Sequence, residues 1–292
     1  MKLGTDFCVD RAYEDIPSED VAGCLVRESS ALAWAIDGAS TLAEQPFQHF
    51  SGVTDAGWFA RRIDTSLREC FVERAFDLDG MAELLVSARD AYVDAGAGSE
   101  PLWVWPVAAA VIVEIDLVAS QLRIYRYADC FVETAAVPSV NCVLRRGCSG
   151  CDGVRPHWEP CSGFNGSTLA LLRARREAQQ RNQGTSALTL NPLSASNAVL
   201  ECRSIQTPCD ILLGSDGLSR LWETYGALSR AQAMRCLETE GLASLFRRLR
   251  RFEAEHETGA PGFKGRDDAI GLQLRLGARC GVLEKSEERG LT

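Results

Sequence analysis

The sequence predicts an α+β protein in which two antiparallel sheets are flanked by helices. Three observations carry this. Apolar runs of strand length recur at 31–36, 107–115, 121–127, 199–205 and 210–214, and a clean alternating strand closes the pattern at 270–276. Helical segments come in blocks rather than one between each pair of strands. The resulting order is strand, two helices, many strands, helices, strand, which is not the alternation of a βαβ fold. No internal repeat is visible.

Taken in order, residues 1–30 are polar and carry the acidic pairs Glu14-Asp15 and Glu19-Asp20. The first clear strand is 31–36, followed by a loop with Pro46 and Gly52. From Asp55 the spacing of Phe59, Ile63, Leu67 and Phe71 defines one apolar stripe of a helix. A second helix starts near Asp79, with Met81, Leu84, Leu85, Ala88 and Tyr92 on one face, and ends at Gly96 and Gly98. The short connection at 118–120 fits a hairpin between 107–115 and 121–127, and a third strand is expected at 131–137. Residues 138–166 are rich in Gly, Pro, Ser and Cys without periodicity and read as a long loop or small insertion. A helix over about 168–182 carries Arg173, Arg175, Arg176 and Arg181. Ser229 and Gln232 form a capping box for a helix over 230–239, and Leu242, Leu245, Phe246, Leu249 and Phe252 share a face of the next. In the last strand Ile270, Leu272, Leu274 and Leu276 alternate with Gly271, Gln273 and Arg275.

With 292 residues, 46% hydrophobic and 24% charged, the chain has material for one large core. It reads as a single domain over 1–281 with the Cys-rich insertion at about 138–166 and a charged, disordered tail at 282–292. The net charge of −9 argues against nucleic acid as a partner, and Arg247-Arg248 and Arg250-Arg251 sit in a helical pattern with Glu253 and Glu255, which reads as a solvated face. No apolar stretch reaches the roughly 18 residues of a membrane span. The N-terminus turns acidic at Asp6 and has no signal-peptide core. The expectation is a cytoplasmic protein whose 12 cysteines are mostly reduced.

Two segments bear on chemistry. Ala33-Trp34-Ala35-Ile36-Asp37-Gly38 and Ile211-Leu212-Leu213-Gly214-Ser215-Asp216-Gly217 are apolar runs that end in Asp-Gly. A third, Arg266-Asp267-Asp268-Ala269-Ile270, sets paired carboxylates before a strand. With Glu19 and Asp20 these acids sit at or beside strand ends, where the fold can gather them. Magnesium and manganese prefer such oxygen ligands. Two such ions about 4 Å apart can share a bridging Asp and an activated water and neutralise a phosphoryl group under attack. The other reading is that Asp-Gly is a common turn dipeptide and that acids at strand ends are solvated.

The motifs in their order resemble the type 2C metal-dependent serine/threonine protein phosphatases, over about residues 14–276. Ser18-Glu19-Asp20 resembles the family's early Asn-Glu-Asp element, and Ile36-Asp37-Gly38 its core Asp-Gly. Ala128-Asp129-Cys130 stands in the place of its Gly-Asp-Ser, and Leu213-Gly214-Ser215-Asp216-Gly217-Leu218 resembles its late Ser-Asp-Gly. Arg266-Asp267-Asp268-Ala269 resembles the terminal Asp-Asn or Asp-Asp. The resemblance implies a four-layer αββα fold and hydrolysis of phosphoserine or phosphothreonine on a protein by a water bridging two Mn²⁺ or Mg²⁺ ions. It also implies roles: Asp37 bridging both metals, Gly38 offering its carbonyl, Asp216 and Asp267 holding the second side, and Asp20 contacting a metal. Asp37 and Asp216 would be the catalytic pair, with Glu19, Asp129 and Asp268 in support.

Three departures stand out. Many members read Asp-Gly-His-Gly-Gly, whereas this chain has Asp37-Gly38-Ala39-Ser40, as in a bacterial variant with Asp-Gly-Ala-Thr and a later Asp-Ala-x-Trp, here Asp55-Ala56-Gly57-Trp58. The family's general-acid His is thus absent, leaving a metal-held water or His49 to supply the proton. No Arg lies at the expected spacing before Asp20. Arg11 is the phosphate-contact candidate, and Arg11 through Asp15 is a competing alignment in which Glu14-Asp15 is the first metal element. Finally, Ala128 and Cys130 replace smaller or polar residues.

Cys142, Cys148, Cys151 and Cys161 gather within the insertion, and Cys148-Ser149-Gly150-Cys151 is half of a zinc motif. The second half is irregular, so the cluster reads either as a zinc site or as a Cys-rich stretch. For the whole chain, two functional readings stand: an active phosphoprotein phosphatase, or a phosphatase-like module that binds a phosphoprotein without turning it over. Retained Asp37, Asp216 and Asp267 favour activity, because clustered carboxylates repel one another unless a metal neutralises them.

Overall fold

The computed structural model describes residues 3–11, 17–42, 49–72, 74–134, 142–144, 166–256 and 266–277. In chain order its strands are β1 (Leu3–Asp10), β2 (Val21–Val26), β3 (Ser30–Ala39), β4 (Val107–Asp116), β5 (Gln121–Tyr127), β6 (Phe131–Thr134), β7 (Cys142–Leu144), β8 (Leu188–Thr189), β9 (Val199–Ser204), β10 (Cys209–Gly214) and β11 (Ala269–Leu276). The helices are α1 (Asp55–Cys70), α2 (Leu78–Asp94), α3 (Gly166–Gln180), α4 (Asp216–Glu223), α5 (Arg230–Glu240) and α6 (Leu242–His256).

Strand β3 explains the layering. Its side chains alternate across the sheet, so Leu32, Trp34 and Ile36 face one way and Ala31, Ala33 and Ala35 the other. The large residues pack under α1 and α2 against Phe59, Ile63, Leu67, Met81 and Leu85. The alanines, with Val111, Val113 and Ile124, meet Ile211, Leu213, Ile270, Leu272 and Leu274 of the second sheet. Small side chains on this face let the two sheets approach closely. The outer face of the second sheet, through Leu212 and Ala269, is covered by Leu218, Leu221, Leu237, Leu245 and Leu249 of α4, α5 and α6. The layers are therefore helices, sheet, sheet, helices, as expected.

All pairings are antiparallel. One sheet has the order β1-β11-β10-β6 and the other β2-β3-β4-β5-β9-β7, with β8 paired to β4. The expected β4–β5 hairpin forms: Asp116 accepts from the backbone N–H groups of Val118 (2.8 Å) and Ala119 (2.7 Å), and Ser120 takes a left-handed φ of 56°. The capping box at Ser229 and Gln232 is present at the start of α5.

The differences from expectation have physical reasons. Strands β1 and β2 fall in the stretch read only as polar. They are edge strands: Phe7 (68% exposed) and Val9 (40%) of β1 stay uncovered, while β2 packs Val21, Leu25, Ala22 and Cys24 only at the margins of the two cores and leaves Val26 (58%) exposed. Helix α4 went unread because it is eight residues long and follows directly on a strand. Gln273, one of the residues that alternate with the apolar ones in β11, is fully buried, because helices cover that face of β11; its amide donates to Asp210 Oδ1 at 3.0 Å. Among the described residues no helix is long and apolar enough to cross a membrane. The tail at 282–292 and all of 138–166 except β7 and the first residue of α3 lie outside the described residues.

Candidate metal centre

One end of the sandwich brings together the acids that are far apart in sequence. Glu19 and Asp20 precede β2, Asp37 and Gly38 are at the end of β3, Asp216 opens α4, and Asp267 and Asp268 lead into β11. Short hydrogen bonds stitch these segments. Gly38 N–H donates to the Glu19 carbonyl (3.3 Å), and Glu19 N–H donates to Asp268 Oδ2 (2.8 Å). The Ser215 hydroxyl donates to Asp20 Oδ2 (2.8 Å) while accepting from Ile270 N–H (3.1 Å). Ser215 thereby locks the first acidic element to the ends of β10 and β11.

Two glycines make this closeness possible. A Cβ at Gly38 would stand 2.9 Å from the carbonyl oxygens of both Ala56 and Glu19. At Gly217 it would stand 1.9 Å from the Asp268 carbonyl oxygen. The Gly after each Asp is required by close approach of backbone, rather than by a turn of unusual φ.

Burial and mutual repulsion dominate the electrostatics. Residue Asp37 is only partly buried as a whole, but its carboxyl is enclosed. Burial first, then the fields of Asp20, Asp216, Asp129 and Asp267, push it well above the ordinary carboxylate range. Asp20 is pushed up to about 8, chiefly by burial; the Ser215 hydroxyl and a hydrogen bond shared with Asp37 oppose the rise, and Asp268 and Asp267 add to it. The hydrogen bond between the two carboxyl groups offsets part of that repulsion.

Glu19 is raised by burial, against the pull of two hydroxyls: Ser40 donates to its Oε2 (2.6 Å) and Thr54 to its Oε1 (2.5 Å). Glu19 is thus held by the chain rather than turned to the cluster. Thr54 also caps α1 by accepting from Gly57 N–H at 3.1 Å. Asp129, in the turn between β5 and β6, is exposed yet near enough for its charge to act on Asp37. His49 is tied at Nδ1 to Asp55 Oδ2 (2.8 Å), which also accepts from the Tyr92 hydroxyl (2.6 Å). That makes Asp55 and His49 an anchor between α1 and α2.

Two arginines bear on the site that the sequence reading did not place there. Arg176 of α3 is buried beside the segment that follows Asp37-Gly38, with its guanidinium 3.5 Å from the Ala39 carbonyl and 3.4 Å from that of Ser40. Burial lowers its pKa to about 10, opposed by the charge of Glu19. Its sequence signal was the spacing of Arg173 and Arg176, which places both on one helix face; Arg173 bonds the Leu42 carbonyl at 3.0 Å and stacks on Trp103. Arg220 of α4 is 4% exposed and ion-paired to Asp267. Four residues after Asp216, it lies on the same helix face.

The donor set of Asp20, Asp37, Asp216, Asp267 and the Gly38 carbonyl is all oxygen, which suits a hard divalent cation, and the repulsion among its acids calls for one. By that chemistry the residues fit Mn²⁺ or Mg²⁺. Among the described residues, however, no three His, Cys, Asp or Glu side chains form a ready-made ligand set. Arg11 is exposed, one residue beyond the Asp10–Ala269 pair of β1 and β11. Glu14 and Asp15 lie outside the described residues, as do Cys148, Cys151 and Cys161; Cys142 sits in β7 opposite Cys202 of β9.

A pH dependence follows. Asp20 and Asp37 bind protons more tightly in the fold than in an unfolded chain, where a carboxyl titrates near ~4. The folded state holds the extra protons, so the stability they contribute is full below about pH 4 and is lost as pH rises toward the folded values, about 8 for Asp20. In EDTA the melting temperature should therefore fall from pH 6 to pH 8.5, and Mn²⁺ should abolish the fall. A melt that is flat over this range in EDTA would contradict the buried cluster.

No protein-family model matches the chain, and no curated protein sequence does. Solved structures do. The serine/threonine phosphatase of S. agalactiae is 13% identical, with 94% of this chain and 100% of that one covered and a TM-score of 0.52. Stp1 from Staphylococcus aureus is 12% identical, with 95% and 96% covered and a TM-score of 0.53. The catalytic domain of the serine/threonine phosphatase PstP, in complex with two manganese ions, is 15% identical, with 94% and 99% covered and a TM-score of 0.51. Over nearly its whole length, this chain has the fold of these bacterial serine/threonine phosphatases.

Proposed function

We propose that the protein is a metal-dependent phosphoprotein phosphatase acting on phosphoserine or phosphothreonine in the cytoplasm. The observation that supports this most is the convergence of Asp20, Asp37, Asp216 and Asp267, from four separate segments, into a cluster in which burial and the charges of the neighbouring acids raise the proton affinity of Asp20 and Asp37. Burying like charges together destabilises a fold, and a divalent cation is the usual reason to retain them.

In this reading Asp20, Asp37, Asp216, Asp267 and the Gly38 carbonyl would hold two Mn²⁺ or Mg²⁺ ions, which when bound would lower the pKa of water and offset charge on the phosphoryl group. The chain's own part is positioning. Ser215 fixes the orientation of Asp20. Ser40 and Thr54 hold Glu19 away from the centre, supporting the Asp37-Gly38 strand end. Asp129 and Asp268 add negative field at the rim. Arg176 braces the carbonyls just past Gly38. With His49 engaged by Asp55, no histidine is assigned the general-acid role.

The second reading, a module that binds a phosphoprotein without turnover, is favoured by one observation: Arg220 already neutralises Asp267. Hydrolysis of a phosphothreonine peptide in EDTA, Mg²⁺ or Mn²⁺, beside Asp216→Asn, decides between them. Turnover that needs the metal and is lost in the variant is expected. Silence of the folded protein under every metal would leave the binding module.

A further inference from the structure

Arg220 is a guanidinium in direct contact with one of the cluster's acids. It is almost wholly buried, on the second turn of α4, and it is ion-paired to Asp267. Side chains on a helix lean toward its N-terminus, so Arg220 lies back over the turn that begins with Asp216. The chain has drawn Asp267 within its reach: Gly217 lets the Asp268 carbonyl approach α4 to a distance no side chain would permit. The other oxygen of Asp267 accepts the backbone N–H of Asp268 at 3.2 Å. Both oxygens of this acid are therefore already engaged. Burial opposes charge on Arg220, but Asp267, Asp216 and Tyr225 more than offset it, and an arginine does not shed its proton in any case.

A fixed positive charge on the same carboxylate repels a divalent cation at close range, where screening by water is weak. We propose that Arg220 is a resident counter-cation that competes with a divalent ion for Asp267, so that the Asp216–Asp267 side of the centre takes its ion more weakly than the Asp20–Asp37 side. This rests on the metal-site reading above.

The test is calorimetric titration of Mn²⁺ into metal-stripped protein, with no substrate present. The wild type should show two binding events at least ten-fold apart. Arg220→Gln should strengthen the weaker event ten-fold or more and leave the tighter one unchanged. Arg220→Lys, which keeps the charge, should behave like wild type, and Asp267→Asn should lose the weaker event. Thermal melts provide an independent reading, because Mn²⁺ should raise the melting temperature of Arg220→Gln more than that of wild type. Two wild-type events of equal affinity would overturn the proposal even if Arg220→Gln failed to fold. So would a folded Arg220→Gln whose weaker event is unchanged or weakened; both results leave the metal site itself standing. Absence of any Mn²⁺ binding by wild type would overturn the proposal and the metal-site reading together.

Discussion

Asp37→Asn should lower metal-dependent hydrolysis of a phosphothreonine peptide by about 10³-fold, a loss on the scale seen when a preorganised electrostatic group is removed from an active site. The same substitution should leave the metal-free fold at least as stable at pH 8 as the wild type. Both halves come from one fact. The Asp37 carboxyl is enclosed among Asp20, Asp216, Asp129 and Asp267 and holds its proton well above the ordinary range. Without metal its charge is a burden, and an amide of the same shape removes that burden. With metal its charge would be what holds the ion. A stability gain in EDTA together with a loss of turnover in Mn²⁺ is a signature that a merely structural Asp would not produce. Near-normal turnover would show that Asp37 does not hold the metals.

Much of the fold was legible because its central elements are one-sided in a simple way. The stripe Phe59, Ile63, Leu67 and Phe71 could only be a helix packed on something flat, and that surface is the Leu32, Trp34 and Ile36 face of β3. The edge strands were not legible. In β1 the apolar positions Phe7 and Val9 stay exposed at 68% and 40%, so the alternation that marks a strand carries no burial with it. The acids of the site could be picked out by their Asp-Gly and Asp-Asp contexts, but the partners that set their chemistry could not. Ser215 and Asp20 are 195 positions apart, and only the pairing of β10 with β11 beside β2 brings them to 2.8 Å. The arginines were sought upstream of the first acid, as the family resemblance suggested. The fold instead brings Arg176 from α3 and Arg220 from α4. Arg220 had a local signal, four residues after Asp216 in a short amphipathic segment, but nothing in the sequence says that it reaches past Asp216 to Asp267.

Gly217→Ala separates the presence of the acids from their placement. It keeps every candidate ligand, and propensity alone would favour it, since alanine in place of glycine stabilises a helix by about 1 kcal/mol. Gly217 has no left-handed φ that an alanine would strain. The contact decides otherwise. A Cβ there would sit 1.9 Å from the Asp268 carbonyl oxygen, backbone that cannot swing aside as a long side chain would. Helix α4 and the turn at Asp267 and Asp268 must separate, and such overpacking costs about 1–3 kcal/mol. That separation loosens the Arg220–Asp267 pair and pulls on Ser215, which bonds both Ile270 and Asp20. The displacement reaches ligands on both sides of the centre. Misplacing catalytic groups by about 1 Å costs on the order of 10²-fold in rate. The expected result is a melting temperature lowered by several degrees, about 2–4 °C for each kcal/mol in a chain of this size, with turnover in Mn²⁺ reduced about 10²-fold. A variant that melts at or above the wild type and keeps its rate would mean that the helix and the turn are not in contact, and that Asp216 and Asp267 reach the same ion by some other route.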